Sequence, residues 1–267
     1  MMSMEGMPDD VLLEILDRVE DKSDRLSAAL TCRRFLAAIH TKLPHASSLI
    51  IQMAHCSTGA CMKGLSEARI TVCQCTRHEG LTILQCLLPV ISSKMRSLAL
   101  EDELFGGETM ADGALHAVIG GCSGAPLSSL SFEHVDFEKV RPWTLALIAG
   151  FDELEQVHLI GCVLSESLLL RALSASMGTL RCLSVTDSSL ITDKLCSSLA
   201  RTARNIEEIN LRGCKKVSAF SVVSLLEAHG HRRAQQLTLH LEGTAFDSKE
   251  HNVPIDLLLH NGYNGDK

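Results

Sequence analysis

Six residues with metal-ligating side chains crowd into one short segment of the chain: His55, Cys56, Cys61, Cys73, Cys75 and His78. Thiolate and imidazole groups are the ligands that zinc takes in tetrahedral sites. Zinc-binding cysteine pairs are usually separated by about two to four residues. Here Cys73 and Cys75 are separated by a single residue. The spacing therefore favours an irregular cysteine-rich segment, with a zinc site as the alternative, and we predict no metal and no cofactor.

Nucleophilic catalysis has weaker support than metal binding. Cys73 with His78 could imitate a thiol–imidazole pair, but no residue nearby would orient the histidine. The pairs Gly106-Gly107 and Gly120-Gly121 lack the flanking residues of a phosphate-binding loop and are typical of turns. The sequence also lacks a nucleophile elbow. We therefore predict that the chain is not an enzyme.

The elements that must position any site come from a repeated pattern. Six segments read apolar-x-x-apolar-x-apolar, and they begin at Met95, Leu127, Leu154, Leu180, Ile206 and Ala234. Successive segments start 32, 27, 26, 26 and 28 residues apart. This period and pattern are typical of leucine-rich repeats. Because one repeat cannot bury its apolar face alone, the pattern predicts a stacked solenoid.

Apolar residues at helical spacing follow the predicted strands. The three stripes are Leu168, Leu169, Ala172 and Leu173; Leu195, Leu199 and Ala200; and Phe220, Val223, Leu225 and Leu226. A strand followed by a helix, repeated, predicts a parallel sheet on the concave side and helices outside. Poorer copies predict strands at Leu49–Ile51 and Ile70–Val72. The predicted fold class is thus α/β, a leucine-rich-repeat horseshoe with a small helical unit at its N-terminus.

Alternation along each strand assigns a candidate binding face. The second and third apolar positions point into the core, so the residues flanking them lie on the concave surface. From these we predict the substrate-binding residues Gln156, His158, Ser184, Glu208, Asn210, Arg212, Thr238 and His240. A concave surface that binds a phosphorylated ligand needs several cationic side chains directed at the phosphate. The predicted concave residues include one arginine, Arg212, with Lys215 and Lys216 just after it in the sequence. A phosphorylated ligand is therefore disfavoured.

A different pattern precedes the repeats. Pro8 suits a first helical position, and the acids that follow it suit the helix dipole. An apolar stripe comes next, formed by Val11, Leu12, Ile15, Leu16 and Val19. A second helix is expected from Ser23 or Asp24, and a third turn to about Ile39. A unit this short buries too little surface to be robust alone, so it either packs on the first repeat or completes its core with a partner.

These residues carry a family resemblance. Met7-Pro8-Asp9-Asp10-Val11-Leu12-Leu13-Glu14-Ile15-Leu16, followed by Asp24-Arg25-Leu26-Ser27-Ala28-Ala29-Leu30-Thr31-Cys32-Arg33-Arg34-Phe35, resembles an F-box. The resemblance implies binding to a Skp-type cullin adaptor through Pro8, Ile15, Leu16, Leu30, Cys32 and Phe35. Val11, Leu12 and Leu26 are expected in the core. The later repeats, such as Ile206–Val217 and Val157–Cys162, resemble the cysteine-containing repeats found in F-box proteins.

Composition limits the partners. The net charge of −7 and the pI near 5.9 argue against nucleic acid, which requires a basic stripe. The first eight residues lack the pattern of a signal peptide, and the most apolar stretch, Leu81–Ile91, is too short to span a bilayer. Eleven cysteines without that signal are most simply reduced thiols. We therefore expect no membrane partner and a cytoplasmic or nuclear location.

Together these inferences predict an organisation and a function. Residues 5–41 form an F-box-like unit, residues 46–250 hold about seven repeats that are irregular between 52 and 94, and residues 251–267 form a cap and tail. The chain is expected to be the substrate-recognition subunit of an SCF-type ubiquitin ligase, with the repeats binding the target protein. The alternatives are a non-catalytic repeat scaffold with a helical cap, or a receptor that senses a small molecule.

Overall fold

The computed structural model describes residues 8–18, 48–54, 62–66, 69–73, 88–89, 92–102, 112–230 and 237–245. The chain is an α/β protein, and it divides into two compact units, Met1–Pro126 and Leu127–Lys267. Within the described ranges, no helix has both the length and the apolar character needed to cross a membrane.

The first unit combines helices with a small mixed sheet. Its described elements are α1 (Asp9–Arg18), β1 (Ser48–Ala54), β2 (Met62–Ser66), β3 (Arg69–Cys73), β4 (Ser97–Asp102) and α2 (Asp112–Gly121). The strand order is β2-β3-β1-β4, with β1 parallel to both β3 and β4 and with β2 antiparallel to β3. The strands predicted at 49–51 and 70–72 are confirmed as β1 and β3. The sequence analysis did not predict β2, whose five residues include Gly64 and lack a clear apolar alternation.

Gly121 differs from its prediction. It ends α2 instead of forming a turn. A Cβ at this position would lie 2.6 Å from the Cβ of Leu88, so glycine allows the end of α2 to approach Leu88 closely. Here glycine serves close packing, which sequence pattern alone does not distinguish from a turn.

The second unit alternates strands and helices as predicted. Its elements are β5 (Ser129–Glu133), α3 (Pro142–Ile148), β6 (Gln156–Ile160), α4 (Glu166–Ala172), β7 (Cys182–Thr186), α5 (Asp193–Thr202), β8 (Glu208–Asn210), α6 (Ala219–Gly230) and β9 (Thr238–His240). The five strands are parallel and pair in sequence order. All their C-terminal ends therefore lie at one edge, where the chain enters the following helix.

The apolar positions of the repeats form the core of this unit. The residues that alternate inward along β5 to β8 are almost completely buried: Leu130, Phe132, Val157, Leu159, Leu183, Val185 and Ile209. From the helices, Leu195 and Leu199 pack beneath them as predicted. Phe220 was wrongly assigned to this core, since it is 70% exposed. The large buried side chains of α6 are Val222, Leu225 and Leu226, and their spacing of three and four places Phe220 on another side of the helix.

Carboxylates join successive repeats at the helix N-termini. Glu138 accepts a hydrogen bond from the backbone N–H of Ser165 at 2.7 Å, and Asp193 accepts one from that of Ser218 at 2.7 Å. Between them, Glu166 accepts from both the backbone N–H and the hydroxyl of Thr192. We call Glu138, Glu166 and Asp193 the inter-repeat carboxylates. Each satisfies a donor that a helix start leaves without a partner inside its own helix.

Left-handed residues recur where the strands turn toward the helices. Positive φ angles occur at His134, Gly161, Asp187, Gly213 and Gly243. The His134 ring lies over Gly161, where an added Cβ would come within 2.6 Å of Nδ1. The Asp187 carboxylate lies over Gly213 in the same way. These two glycines thus meet two demands at once, a left-handed backbone and close approach to the preceding turn.

Candidate functional site

The outer face of the second unit's sheet carries two rows of residues in register. One row contains Ser129, Gln156, Cys182, Glu208 and Thr238, and the other contains Ser131, His158, Ser184, Asn210 and His240. Seven of the eight predicted substrate-binding residues lie in these rows. The eighth, Arg212, follows two positions after Asn210. Strand pairing therefore brings the predicted set onto one surface.

Glu208 is the electrostatic centre of this face. Its Oε1 lies 3.1 Å from Nε2 of His240. Burial raises the pKa of the Cys182 thiol to about 11, and the nearby Glu208 charge and hydrogen bond add to the shift. Burial lowers the pKa of His158, although Glu208 partly opposes that change. At neutral pH the face thus offers a protonated thiol at position 182 and a neutral imidazole at position 158.

Arg212 is already engaged by a carboxylate of its own unit. Its Nε lies 2.6 Å from Oε2 of Glu242, and its Nη2 lies 2.8 Å from Oε1. The hydrogen bonds from Arg212 are the main reason that the pKa of Glu242 falls to about 2. A carboxylate with this pKa stays ionised throughout the physiological range, so it competes with any external anion for the guanidinium.

Ser184 departs from its predicted role. Although it lies in the binding row, it is only 6% exposed. The register places it between His158 and Asn210, whose longer side chains reach further from the sheet than a serine hydroxyl does. Gln156, by contrast, is exposed. The accessible part of the face therefore consists of the longer polar side chains.

Beneath the sheet lies an apolar cavity of about 20 Å³. Phe132, Leu145, Leu159 and Leu169 are among the residues that line it, and all the lining side chains are apolar. This space is close to that of one or two water molecules, and it provides no polar partner for them. The cavity is a packing gap between strands and helices and has no features of a ligand site.

Helix α1 presents apolar side chains at its surface. Pro8 precedes the helix and is exposed, and Val11 and Ile15 are 38% and 40% exposed. They are four residues apart and therefore lie on one face. Leu12 is fully buried, as expected. Val11, expected in the core, is instead exposed and lies beside Ile15.

The comparison with protein families recognises the N-terminal segment. Residues 4–43 match the family model described as F-box-like. The chain therefore carries an F-box-like domain, and F-box domains bind Skp-type adaptors. A comparison with curated proteins found no match to the chain.

The F-box-like domain contains all the predicted adaptor-binding residues. Pro8 and Ile15 are exposed, as residues that contact a partner must be. Leu16 belongs to α1, but its side chain lies outside the described residues, together with Leu30, Cys32 and Phe35. Their roles stay predictions. Val11, which the resemblance had not assigned to an adaptor, is exposed on the same face of α1 as Ile15.

The cysteine-rich segment lies almost wholly outside the described residues. Only Cys73 is included, as the last residue of β3. Among the residues that the structure does describe, no group of three histidine, cysteine or acidic side chains could hold a metal ion. Among the described residues, the thiols of Cys122, Cys162, Cys182, Cys196 and Cys214 are free.

The sequence analysis missed two partners in the candidate site. Cys182 was not among the predicted residues, although its thiol forms a hydrogen bond with Glu208. Glu242 lies just after β9 and was not considered, although it holds Arg212. The contact between Arg212 and Glu242 could have been predicted from the repeat period. The two residues follow β8 and β9 at corresponding positions in adjacent repeats.

Proposed function

We propose that this chain is the substrate-recognition subunit of an SCF-type ubiquitin ligase. In this proposal the F-box-like domain binds a Skp-type adaptor, and the repeats form a leucine-rich-repeat solenoid that binds the target. The family match at residues 4–43 is the observation that carries the proposal. The chain itself contributes no chemical step. It holds the target near the transfer machinery and so raises the effective concentration of its lysines.

The sheet face supports the second half of the proposal. Its strands pair in sequence order from β5 to β9, which leaves a continuous row of polar side chains. Glu208, His240 and Asn210 supply acceptors and donors with limited freedom. Such a face suits hydrogen bonding to a protein surface, and its cysteine remains a thiol at neutral pH and is a poor nucleophile.

Adaptor binding is the first test. The exposed side chain of Ile15 is changed to aspartate, and the affinity of the full chain for a purified Skp-type adaptor is measured by calorimetry. Burial of an isoleucine contributes about 2 kcal/mol, and a buried charge adds a further cost. We therefore expect the dissociation constant to rise by about a hundredfold.

Leu190→Asp provides a matched control. It introduces the same charge at an exposed apolar residue of the second unit, and we expect it to leave the affinity for the adaptor unchanged. If the unmodified chain fails to bind the adaptor, the ligase proposal is wrong. The alternative, a non-catalytic repeat scaffold whose N-terminal helices form a cap, then replaces it. If both variants weaken binding equally, Ile15 is not part of the interface.

A further inference from the structure

Charge is divided unevenly within the second unit. Its strands β5 to β9 and the residues at their ends occupy five corresponding segments, 128–134, 155–161, 181–187, 207–213 and 237–243. These segments carry six acidic side chains and two arginines. The remaining described residues of the unit carry seven acids and eight lysines or arginines. Because the inward positions of the strands are apolar, the excess negative charge lies on the outer side. We call this surface the acidic face.

The acids are distributed over all five strands. They are Glu133, Glu155, Asp187, Glu207, Glu208 and Glu242. Adjacent strands lie about 4.8 Å apart, so the face extends over about 19 Å, the length of five or six residues of extended chain. Among the described residues, no group of three histidine, cysteine or acidic side chains could hold a metal ion. The distribution therefore suits several separate cationic groups better than a single ion.

Both arginines of the acidic face are held by its own acids. Arg181 lies between two strands, with Nη1 2.7 Å from Oε1 of Glu207 and Nε 3.8 Å from Oε2 of Glu155. Arg212 donates two hydrogen bonds to the carboxylate of Glu242. Neither guanidinium therefore extends from the face as an isolated cation. After this pairing the face keeps a formal excess of four acids, with histidine counted as neutral.

Glu208 is accessible at the centre of the acidic face. Its side chain is 46% exposed, and its neighbours in the same row, Cys182 and Thr238, are short. His240 lies 3.1 Å from one of its oxygens. Burial raises the pKa of the Cys182 thiol and lowers the pKa of His158, so neither a thiolate nor an imidazolium forms at these two positions at neutral pH. A long cationic side chain can therefore reach Glu208 over short neighbours.

We propose that the acidic face binds an extended protein segment that carries several lysine or arginine side chains. The excess of acids attracts such a segment and excludes a nucleic acid, whose phosphates it would repel. Ile160 is the one large apolar side chain of the five segments that is exposed, so charge and hydrogen bonding select the partner. The inference rests on the proposed function and deepens it, because it gives the recognition segment of the target a chemistry.

A charge reversal at the centre of the face tests the proposal in the full chain. Glu208→Lys is compared with Glu227→Lys, which makes the same change in net charge at an exposed position of α6. A second face variant, Glu133→Gln/Glu208→Gln, removes two charges with almost no change in side-chain size. Circular dichroism and thermal melting establish that each variant is folded. If Glu208→Lys does not fold, the glutamine variant takes its place in the comparison.

A random peptide library displayed on phage is selected against the unmodified chain. We expect enrichment of peptides that contain several lysines or arginines. Synthetic copies, measured by fluorescence anisotropy at physiological salt, should bind either face variant about tenfold or more weakly. They should lose less than about twofold in affinity for Glu227→Lys. Enrichment of acidic or apolar peptides, failure to enrich, or an equal loss with Glu227→Lys overturns the proposal.

Two further readouts separate the other occupants. If spermine binds as tightly as the best peptide and Glu208→Lys abolishes this, a small polycation is the occupant and the proposal is wrong. Self-association in analytical ultracentrifugation that Glu208→Lys abolishes would identify a second copy as the occupant and would likewise overturn it.

The affinity for a purified Skp-type adaptor separates this inference from the proposed ligase function. We expect Glu208→Lys to leave it unchanged. An unmodified chain that binds the basic peptides but no adaptor would overturn the ligase function alone. An unmodified chain that binds the adaptor but no basic peptide would overturn the inference alone.

Discussion

Three equivalent turn positions in the second unit hold small buried side chains that differ in their hydrogen bonding. Cys162, Ser188 and Cys214 are spaced 26 residues apart, and all three are buried. The Cys214 thiol lies 3.2 Å from the carbonyl oxygen of Val185, and the Cys162 thiol lies 3.6 Å from that of Phe132. The Ser188 hydroxyl has no hydrogen-bond partner among the described residues. A serine at this position therefore buries a polar group without compensation.

Ser188→Cys should stabilise the protein. A thiol loses less on burial than a hydroxyl does, and the neighbouring repeats show that the position accommodates it. We expect the free energy of unfolding to rise by about 1 kcal/mol, measured by urea denaturation under reducing conditions. Ser176→Cys is the control, because that buried hydroxyl donates to the carbonyl of Leu173 at 3.2 Å. The control should destabilise, and a loss of stability in Ser188→Cys would contradict the argument.

The sequence predicted burial correctly at positions where a single effect, the alternation of side chains along a strand, determines it. Inward residues such as Leu183 and Ile209 were predicted because alternation along a strand and burial follow the same period. It failed where exposure depends on neighbours. Ser184 is buried through the longer side chains beside it in the register. Val11 is exposed although its apolar side chain continues the helical stripe that Leu12 shares.

At the scale of elements, the helix starts of adjacent repeats are linked by acids. Asp193 begins α5, and its two carboxylate oxygens accept from the backbone N–H and the hydroxyl of Ser218, both at 2.7 Å. Ser218 immediately precedes α6. The same side chain thus places negative charge at the N-terminus of its own helix and satisfies a donor at the next. Packing of α5 on α6 depends on this contact as well as on apolar burial.

Asp193→Ala should weaken that junction. The substitution removes two hydrogen bonds to a carboxylate and a favourable dipole interaction, so we expect a loss of about 1 to 3 kcal/mol. Lys194→Ala, at the next residue of the same helical turn, is the matched control and should change stability by less than about 0.5 kcal/mol. Urea denaturation followed by circular dichroism measures both. Equal losses would show that the turn tolerates neither change, irrespective of the junction.

Element types were largely predictable, and their contacts were not. Strands β5 to β9 lie where the apolar pattern repeats, because each copy carries the same period of two. β2 lacks that pattern, and its antiparallel pairing with β3 comes from tertiary context. The hydrogen bonds of Glu138, Glu166 and Asp193 could not be predicted from one repeat. Each joins residues 25 to 27 positions apart.

At the scale of the molecule, the second unit is close to a linear array. Each strand pairs with its sequence neighbours, and the main helix contacts are likewise between neighbours, α3 with α4, α4 with α5 and α5 with α6. The stability of such an array is approximately a sum of repeat terms and nearest-neighbour interfaces. Cooperative unfolding then requires every interface to be strong. Weakening one interface should therefore separate the unfolding transition into two steps. The same loss of stability in a globular core would shift a single transition.

The interface between α4 and α5 is the place to test this. Glu166→Gln/Thr192→Val disrupts the charged contact there, which consists of two hydrogen bonds to one carboxylate. We expect a loss of about 2 to 3 kcal/mol. Trp143 lies in α3, on the N-terminal side of that interface, and its fluorescence reports this part alone. Circular dichroism reports all the helices, so the two denaturation midpoints should separate in the variant relative to the unmodified chain.

The control must lower stability without touching an interface. Ser174→Ala removes a hydrogen bond of 2.9 Å to the carbonyl oxygen of Arg171, which lies within one repeat. We expect the control to shift both midpoints together, because it weakens a repeat term and leaves the coupling intact. Midpoints that remain coincident in the interface variant would show that apolar packing alone couples the repeats. The inter-repeat carboxylates would then orient the helices without binding the array together.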